Sequence, residues 1–295
     1  MTEKSIIEKV KRIYFQSDGL NATKFYRDYC SGYRYVSRNQ SEDKGLFFIS
    51  PIGSNLEQYL RKKHYHDLSY DLEIAIEGAV YCLMHYGYAY IYINAEYEKS
   101  ENEPENALSV LTSLQIGEIR GLITQRTFDN IEFWGIGPIG SIHRNNYNPS
   151  GLVEMSLKDL GYSKTHFSKV AKRLDKYDTT ASDLIYNNND GYDFSEHLRK
   201  NTIKEFKISR ELGWISHFDE LSESQYLYRI IKQNKLKISM MKYVVDSINK
   251  SLQSFIDLDS DGRVSINLND IDYDKLWKKY SEGKITAAEF STIIK

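Results

Sequence analysis

The succession of apolar and polar positions is organised around Leu68–Tyr97. Leu72 to Met84 (LEIAIEGAVYCLM) is apolar on nearly every face, which predicts a helix enclosed by other elements. His85-Tyr86-Gly87 interrupt that run. Tyr88 to Ile93 (YAYIYI) then has the aromatic and β-branched content of a strand on a packed pleated surface. Helix, glycine hinge and strand together are the expected core of the first half.

Other patterns flank this unit. Residues 3–15 carry Ile6, Ile7, Val10 and Ile13 at helical spacing. Residues 16–45 read as polar and turn-rich, with Tyr26, Tyr29, Tyr33 and Tyr35 interleaved with Arg27, Arg34 and Arg38. Phe47 to Ile49 predicts a short strand stopped at Ser50-Pro51 and Gly53, and a helix follows from Ser54 to Lys63. Residues 98–106 form a polar surface linker with Pro104. Strand composition returns over 107–135, and 143–151 (HRNNYNPSG) reads as a loop. From Leu152 the pattern is mostly helical, which places a domain boundary near Ser150 between residues 1–150 and 151–295. Asp193 to Leu212 is amphipathic and stops at Gly213.

The longest periodic pattern lies in the second half. Ser222 and Gln225 have the spacing of a capping box. Beyond them Leu227, Ile231, Asn234, Ile238, Met241, Val245, Ile248 and Leu252 alternate by four and three, a seven-residue seam. A helix over about 223–252 spans ~45 Å and must pack lengthwise, either within a bundle of the same chain or against another subunit. The fold class expected is therefore α+β, with a mixed helix and strand N-terminal half and a mainly helical C-terminal half.

Composition narrows the function classes. The 39 basic and 41 acidic residues leave a net charge of -2, so any nucleic-acid contact must come from a local patch. Two cysteines, Cys30 and Cys82, point to no disulfide framework or cysteine metal site and suit a reducing cytoplasm. The apolar run from Ile74 is broken by Glu77, His85 and Gly87 before it reaches the ~20 residues of a membrane span. Tyr supplies 24 residues, a composition suited to interfaces.

Three stretches carry candidate chemistry. Residues 156–175 (SLKDLGYSKTHFSKVAKRLD) have the form of a helix-turn-helix, with Gly161 at the turn, Ser163 capping the second helix, and Phe167, Val170 and Leu174 facing inward. Lys164, His166, Lys169, Lys172 and Arg173 face outward, as on a helix that meets DNA. Asp257, Asp259 and Asp261 before Gly262 match the opening of a Ca²⁺ loop, for Ca²⁺ or Mg²⁺, although Leu268 stands where the bidentate acid belongs. His64 and His66 fall on one side of an extended segment and suit a shared metal. GIGPIG at 135–140 lacks the Lys-Ser/Thr pair of a phosphate loop and reads as a turn. The sequence offers no nucleophilic triad and leans away from an enzyme.

Two stretches resemble tailed-phage portal (head–tail connector) proteins. One is the apolar helix ending in His85-Tyr86-Gly87-Tyr88-Ala89-Tyr90 and its strand. The other runs from Lys275-Leu276 through Tyr280, Glu282-Gly283 and Lys284-Ile285-Thr286 to Glu289. The resemblance implies a homo-oligomeric ring passing double-stranded DNA and contacting packaging or capsid proteins. Such a protein belongs in the host cytoplasm or the virion and not in a membrane. The other readings of the residues are a helix-turn-helix DNA-binding component of a mobile element or anti-phage defence system, and a metal-dependent enzyme.

Overall fold

A computed structural model describes residues 20–30, 46–61, 68–93, 108–111, 116–119, 122–128, 142–147, 152–177, 194–214, 221–255, 262–268 and 271–294. For 116–119, 122–128 and 142–147 it describes the backbone alone. The chain is α+β, as the hydrophobic pattern predicts. Two compact units interleave along it. One comprises Met1–Tyr29, Phe167–Leu236 and Asp272–Lys295, the other Cys30–His166 and Lys237–Ile271.

The second unit holds the described strands. Helix α3 (Leu68–Tyr86) buries Leu72, Ile76, Val80, Leu83 and Met84 while leaving Ile74 and Tyr81 exposed. It is an amphipathic wall and is not enclosed on every side. Gly87 ends it in a left-handed turn at φ 83°, and β2 (Tyr88–Ile93) begins at once. Along β2, Ala89, Ile91 and Ile93 are buried and the three tyrosines are half-exposed. This is the period of two expected of a strand with one wet face.

β2 is the central strand of an antiparallel sheet, flanked by β3 (Leu108–Leu111) and β7 (Leu152–Ser156), with Ile91 opposite Val110 and Val153. A second antiparallel sheet has the order β4 (Ile116–Ile119), β5 (Leu122–Phe128), β6 (Ile142–Tyr147). A two-stranded pair joins β1 (Phe47–Ser50) to β8 (Arg263–Ile266), with Ile49 opposite Val264. Between them in sequence, α2 (Asn55–Arg61) is capped by Ser54, whose Oγ accepts from the Glu57 N–H at 3.2 Å. The backbone N–H of Gly53 holds the Glu57 carboxyl below the usual carboxylate range, assisted by Arg61.

Two expectations fail here. Residues 142–147 are a strand where a loop was expected: the Asn-rich sequence has low intrinsic β-preference, and pairing with β5 overrides it. The chain is also not yet helical at Leu152. β7 follows the alternation of Leu152, Val153, Glu154 and Met155, a four-residue signal masked by the helical run behind it.

Among its described residues the first unit is helical: α1 (Leu20–Cys30, to Tyr29), α4 (His166–Asp175, from Phe167), α5 (Phe194–Ser209), the beginning of α6 (Glu223–Phe255), α7 (Tyr273–Ser281) and α8 (Ala287–Ile294). α1 lies where a polar, turn-rich stretch was expected. Its Phe25, Tyr26 and Tyr29 are core residues, with the Phe25 ring edge-on to Trp214 at 5.6 Å. Tyr29 Oη donates to Leu212 O at 2.7 Å and Trp214 Nε1 to Asp28 Oδ2 at 2.9 Å, so each ring keeps its polar end paired. Arg229 of α6 is buried over the Phe206 ring and donates to Phe206 O at 2.9 Å and Trp214 O at 2.7 Å. A cation there offsets the negative end of α5. Burial pulls its pKa down to about 10.

The long helix begins as its capping box predicts. Ser222 N donates to Gln225 Oε1 at 3.3 Å, and Gln225 N donates back to Ser222 Oγ at 3.4 Å. Seven seam residues, Leu227, Ile231, Asn234, Met241, Val245, Ile248 and Leu252, are buried within the single chain, and Ile238 is half-buried. Asn234 satisfies its amide by donating from Nδ2 to Tyr273 Oη at 3.3 Å.

Candidate nucleic-acid interface

The segment opens with a turn that its own residues dictate. Ser156 Oγ accepts from Lys158 N at 3.4 Å and starts a single 3₁₀ turn, Leu157–Leu160. Gly161 closes it at φ 80°, donating to the Leu157 and Lys158 carbonyls. The expected first helix is therefore one tight turn of four residues, too short to be the first arm of a helix-turn-helix. Asp159 Oδ2 accepts from Tyr243 Oη at 2.5 Å, and Tyr243 Oη accepts from Ser156 N at 3.0 Å. Burial, reinforced by Asp159, pushes the Tyr243 phenol up to about 12.

Lys164 and His166 belong to the second unit. Lys164 is exposed, and its Nζ lies 5.3 Å from the centre of the Tyr88 ring. Its backbone sits so close to Gly87 that a side chain there would come within 2.2 Å of Lys164 O. His166 is half-buried with its ring 5.1 Å from that of Tyr162, and burial holds its pKa below the ordinary value of 6.5.

Lys169, Lys172 and Arg173 belong to the first unit and to α4. At 3.6 residues per turn they share an arc of ~100° on the side opposite Phe167, Ala171 and Leu174. The latter three are buried and the three cations are exposed. Val170, expected to face inward, is half-buried. The C-terminal end of α4 is pinned from behind: Asn21 Nδ2 donates to Leu174 O at 3.3 Å and to Glu205 Oε1 at 2.8 Å, and Ala22 N donates to Asp175 Oδ1 at 2.7 Å.

The electrostatic balance follows. Over 157–177 the chain carries six lysines and arginines and two acids, Asp159 and Asp175. Each acid accepts a hydrogen bond from another element, Asp159 from Tyr243 and Asp175 from the start of α1. No acidic residue of α4 shares the arc of Lys169, Lys172 and Arg173. Such a face lowers its own repulsion by meeting phosphates, releasing their counterions. The occupied acids were invisible in the sequence, because their partners lie 84 and 153 residues away.

The other candidates fare differently. Asp257, Asp259, Asp261, His64 and His66 lie outside the described residues, as do residues 3–15 and GIGPIG. Among the described residues no group of three or more His, Cys, Asp and Glu is placed to hold a metal ion. Gly262, read as the turn glycine of a Ca²⁺ loop, is not in the left-handed region. It is small because a Cβ would meet Leu56 Cβ at 2.5 Å and Ser54 Oγ at 2.8 Å. No described helix is long and apolar enough to cross a membrane. The chain matches no protein-family model, and no curated protein matches it significantly.

Proposed function

We propose that the chain is a structural protein of a phage or phage-derived element that contacts double-stranded DNA through Lys169, Lys172 and Arg173 of α4, as a subunit of a portal- or connector-like ring. The observation that carries the DNA contact is the exposed cationic arc of α4, backed by a buried apolar face and carrying no acidic residue of α4 itself. Three point charges on an exposed helix face suit transient backbone contact, which is what a surface passed by moving DNA requires.

Ring membership is supported by the two stretches of portal resemblance. The helix, Gly87 and β2 junction is one. The other is α7, the Gly283 turn at φ 69° and the capping box that opens α8, in which Thr286 N donates to Glu289 Oε2 at 2.8 Å. Homo-oligomerisation and packaging or capsid partners belong to this proposal.

Full-length Lys169→Ala/Lys172→Ala/Arg173→Ala tests the contact. At fixed moderate salt it should bind a duplex at least tenfold more weakly than the parent protein, with unchanged circular dichroism. Unchanged affinity removes α4 as the contact. The second reading, a DNA-binding component of a mobile element or defence system, would use the same exposed cations of α4 without the helix-turn-helix form. It predicts a monomer or dimer in solution, where the ring predicts a large closed assembly.

A further inference from the structure

The cationic surface of the helical unit does not stop at the end of α4. Tyr177 follows Arg173 by four residues, and its N–H donates to Leu174 O at 2.9 Å, which extends the last turn. Residues four apart are neighbours on a helical surface, so Tyr177 comes up beside Arg173. Lys204 of α5 stands over the Tyr177 ring, its Nζ 5.1 Å from the centre. Asn21 fixes the two helices at this place, donating from Nδ2 both to Leu174 O and to Glu205 Oε1, on the residue after Lys204. On α5, Lys204 and Lys207 are one turn apart and exposed, on the side away from the buried Asn201, Glu205 and Ser209. Neither meets a carboxylate among the described residues, and Glu205 is turned inward to Asn21. Arg199 and Lys200, one turn earlier, are both held by Glu196, at 2.6 and 3.4 Å. The α5 cations thus divide into a pair already neutralised and a pair that is not.

We propose that the duplex-contacting surface spans two helices: Lys204 and Lys207 of α5 meet phosphates together with Lys169, Lys172 and Arg173, and Tyr177 is the positioning residue that holds Lys204 at the junction. This extension rests on the reading of α4 as a DNA contact. A cation over an aromatic face keeps its full charge while its ammonium is held in place, so less side-chain freedom is lost on binding. Unpaired lysines carry counterions that a phosphate backbone releases, whereas lysines already bound to a carboxylate have little to gain. An acidic protein would also meet lysines, but protein interfaces are depleted in them, and nucleic-acid surfaces gather them.

The test follows the anisotropy of a labelled duplex with full-length variants over a range of salt. The slope of log K against log salt should be shallower than the parent's by about 1.8 for Lys204→Ala/Lys207→Ala, by about 4.5 when these are combined with the three α4 substitutions, and by far less than 1.8 for Arg199→Ala/Lys200→Ala. At fixed salt Tyr177→Phe should bind within about twofold of the parent, and Tyr177→Ala should bind about threefold more weakly, but only where Lys204 is present. An unchanged slope for the α5 pair beside a shallower one for the α4 variant overturns the extension and leaves the α4 contact standing. Unchanged slopes for both remove the α4 reading and the extension with it. A change confined to the α5 pair, equal changes from the cations paired with Glu196, or tighter binding of poly-glutamate than of the duplex at the same salt would each overturn the two-helix surface.

Discussion

At the scale of single residues, Gly87 explains why α3 and β2 meet where they do. It combines a left-handed φ of 83° with a backbone neighbour, Lys164 O, that would lie 2.2 Å from any Cβ. Gly283 has a similar φ of 69° but open space around it. Gly87→Ala should therefore lower stability by at least about 3 kcal/mol in urea unfolding, and Gly283→Ala by only about 1 kcal/mol. Equal losses would refute the close approach as the cause. Tyr243 gives a pH test. Its folded pKa is about 12 against an ordinary 10.0, so the fold holds the proton more tightly than the unfolded chain. The stabilisation is complete below pH 10 and is lost as pH rises through about 12. The parent protein should lose stability across that window more steeply than Tyr243→Phe, measured as the urea midpoint against pH. The hinge at Gly87 was legible because Gly is the residue of left-handed turns. The Tyr243–Asp159 bond was not, because nothing local marks residues 84 positions apart as partners.

At the scale of elements, α6 shows how far pattern carries. Its start, its length and its seam all follow from local spacing, because capping and seven-residue periodicity are properties of neighbouring residues. What the seam packs against is a matter of tertiary structure: its residues are buried by the chain's own elements. Ser222→Ala should cost about 1 kcal/mol by removing the hydroxyl that accepts from Gln225 N, checked by thermal or urea unfolding. No loss would mean that the box contributes nothing. α1 and β6 show the opposite case. Leu20–Cys30 mixes Tyr with charged residues, and it is a helix because Phe25, Tyr26 and Tyr29 find buried sites within its unit. Ile142–Tyr147 is Asn-rich, and it is a strand because β5 pairs with it. In both, tertiary context outweighs local preference. The cationic arc of α4 was legible, since helical spacing separates Phe167, Ala171 and Leu174 from Lys169, Lys172 and Arg173. The 3₁₀ turn before it was not, because Leu157 and Leu160 suit either kind of helix.

At the scale of the whole molecule, the near-neutral charge leaves DNA contact to a local surface, and the proposal assigns that role to three side chains on one helix. Light scattering after size exclusion should find a closed assembly many times the 34.4 kDa chain mass, and a monomer at every concentration would remove the ring. The central claim, that α4 meets duplex phosphates, is tested most directly by the salt dependence of duplex binding. Each phosphate neutralised contributes about 0.9 to the slope of log K against log salt. The slope for Lys169→Ala/Lys172→Ala/Arg173→Ala should be shallower than that of the parent by about 2.7, whatever the duplex sequence. Identical slopes for the two proteins would contradict the account.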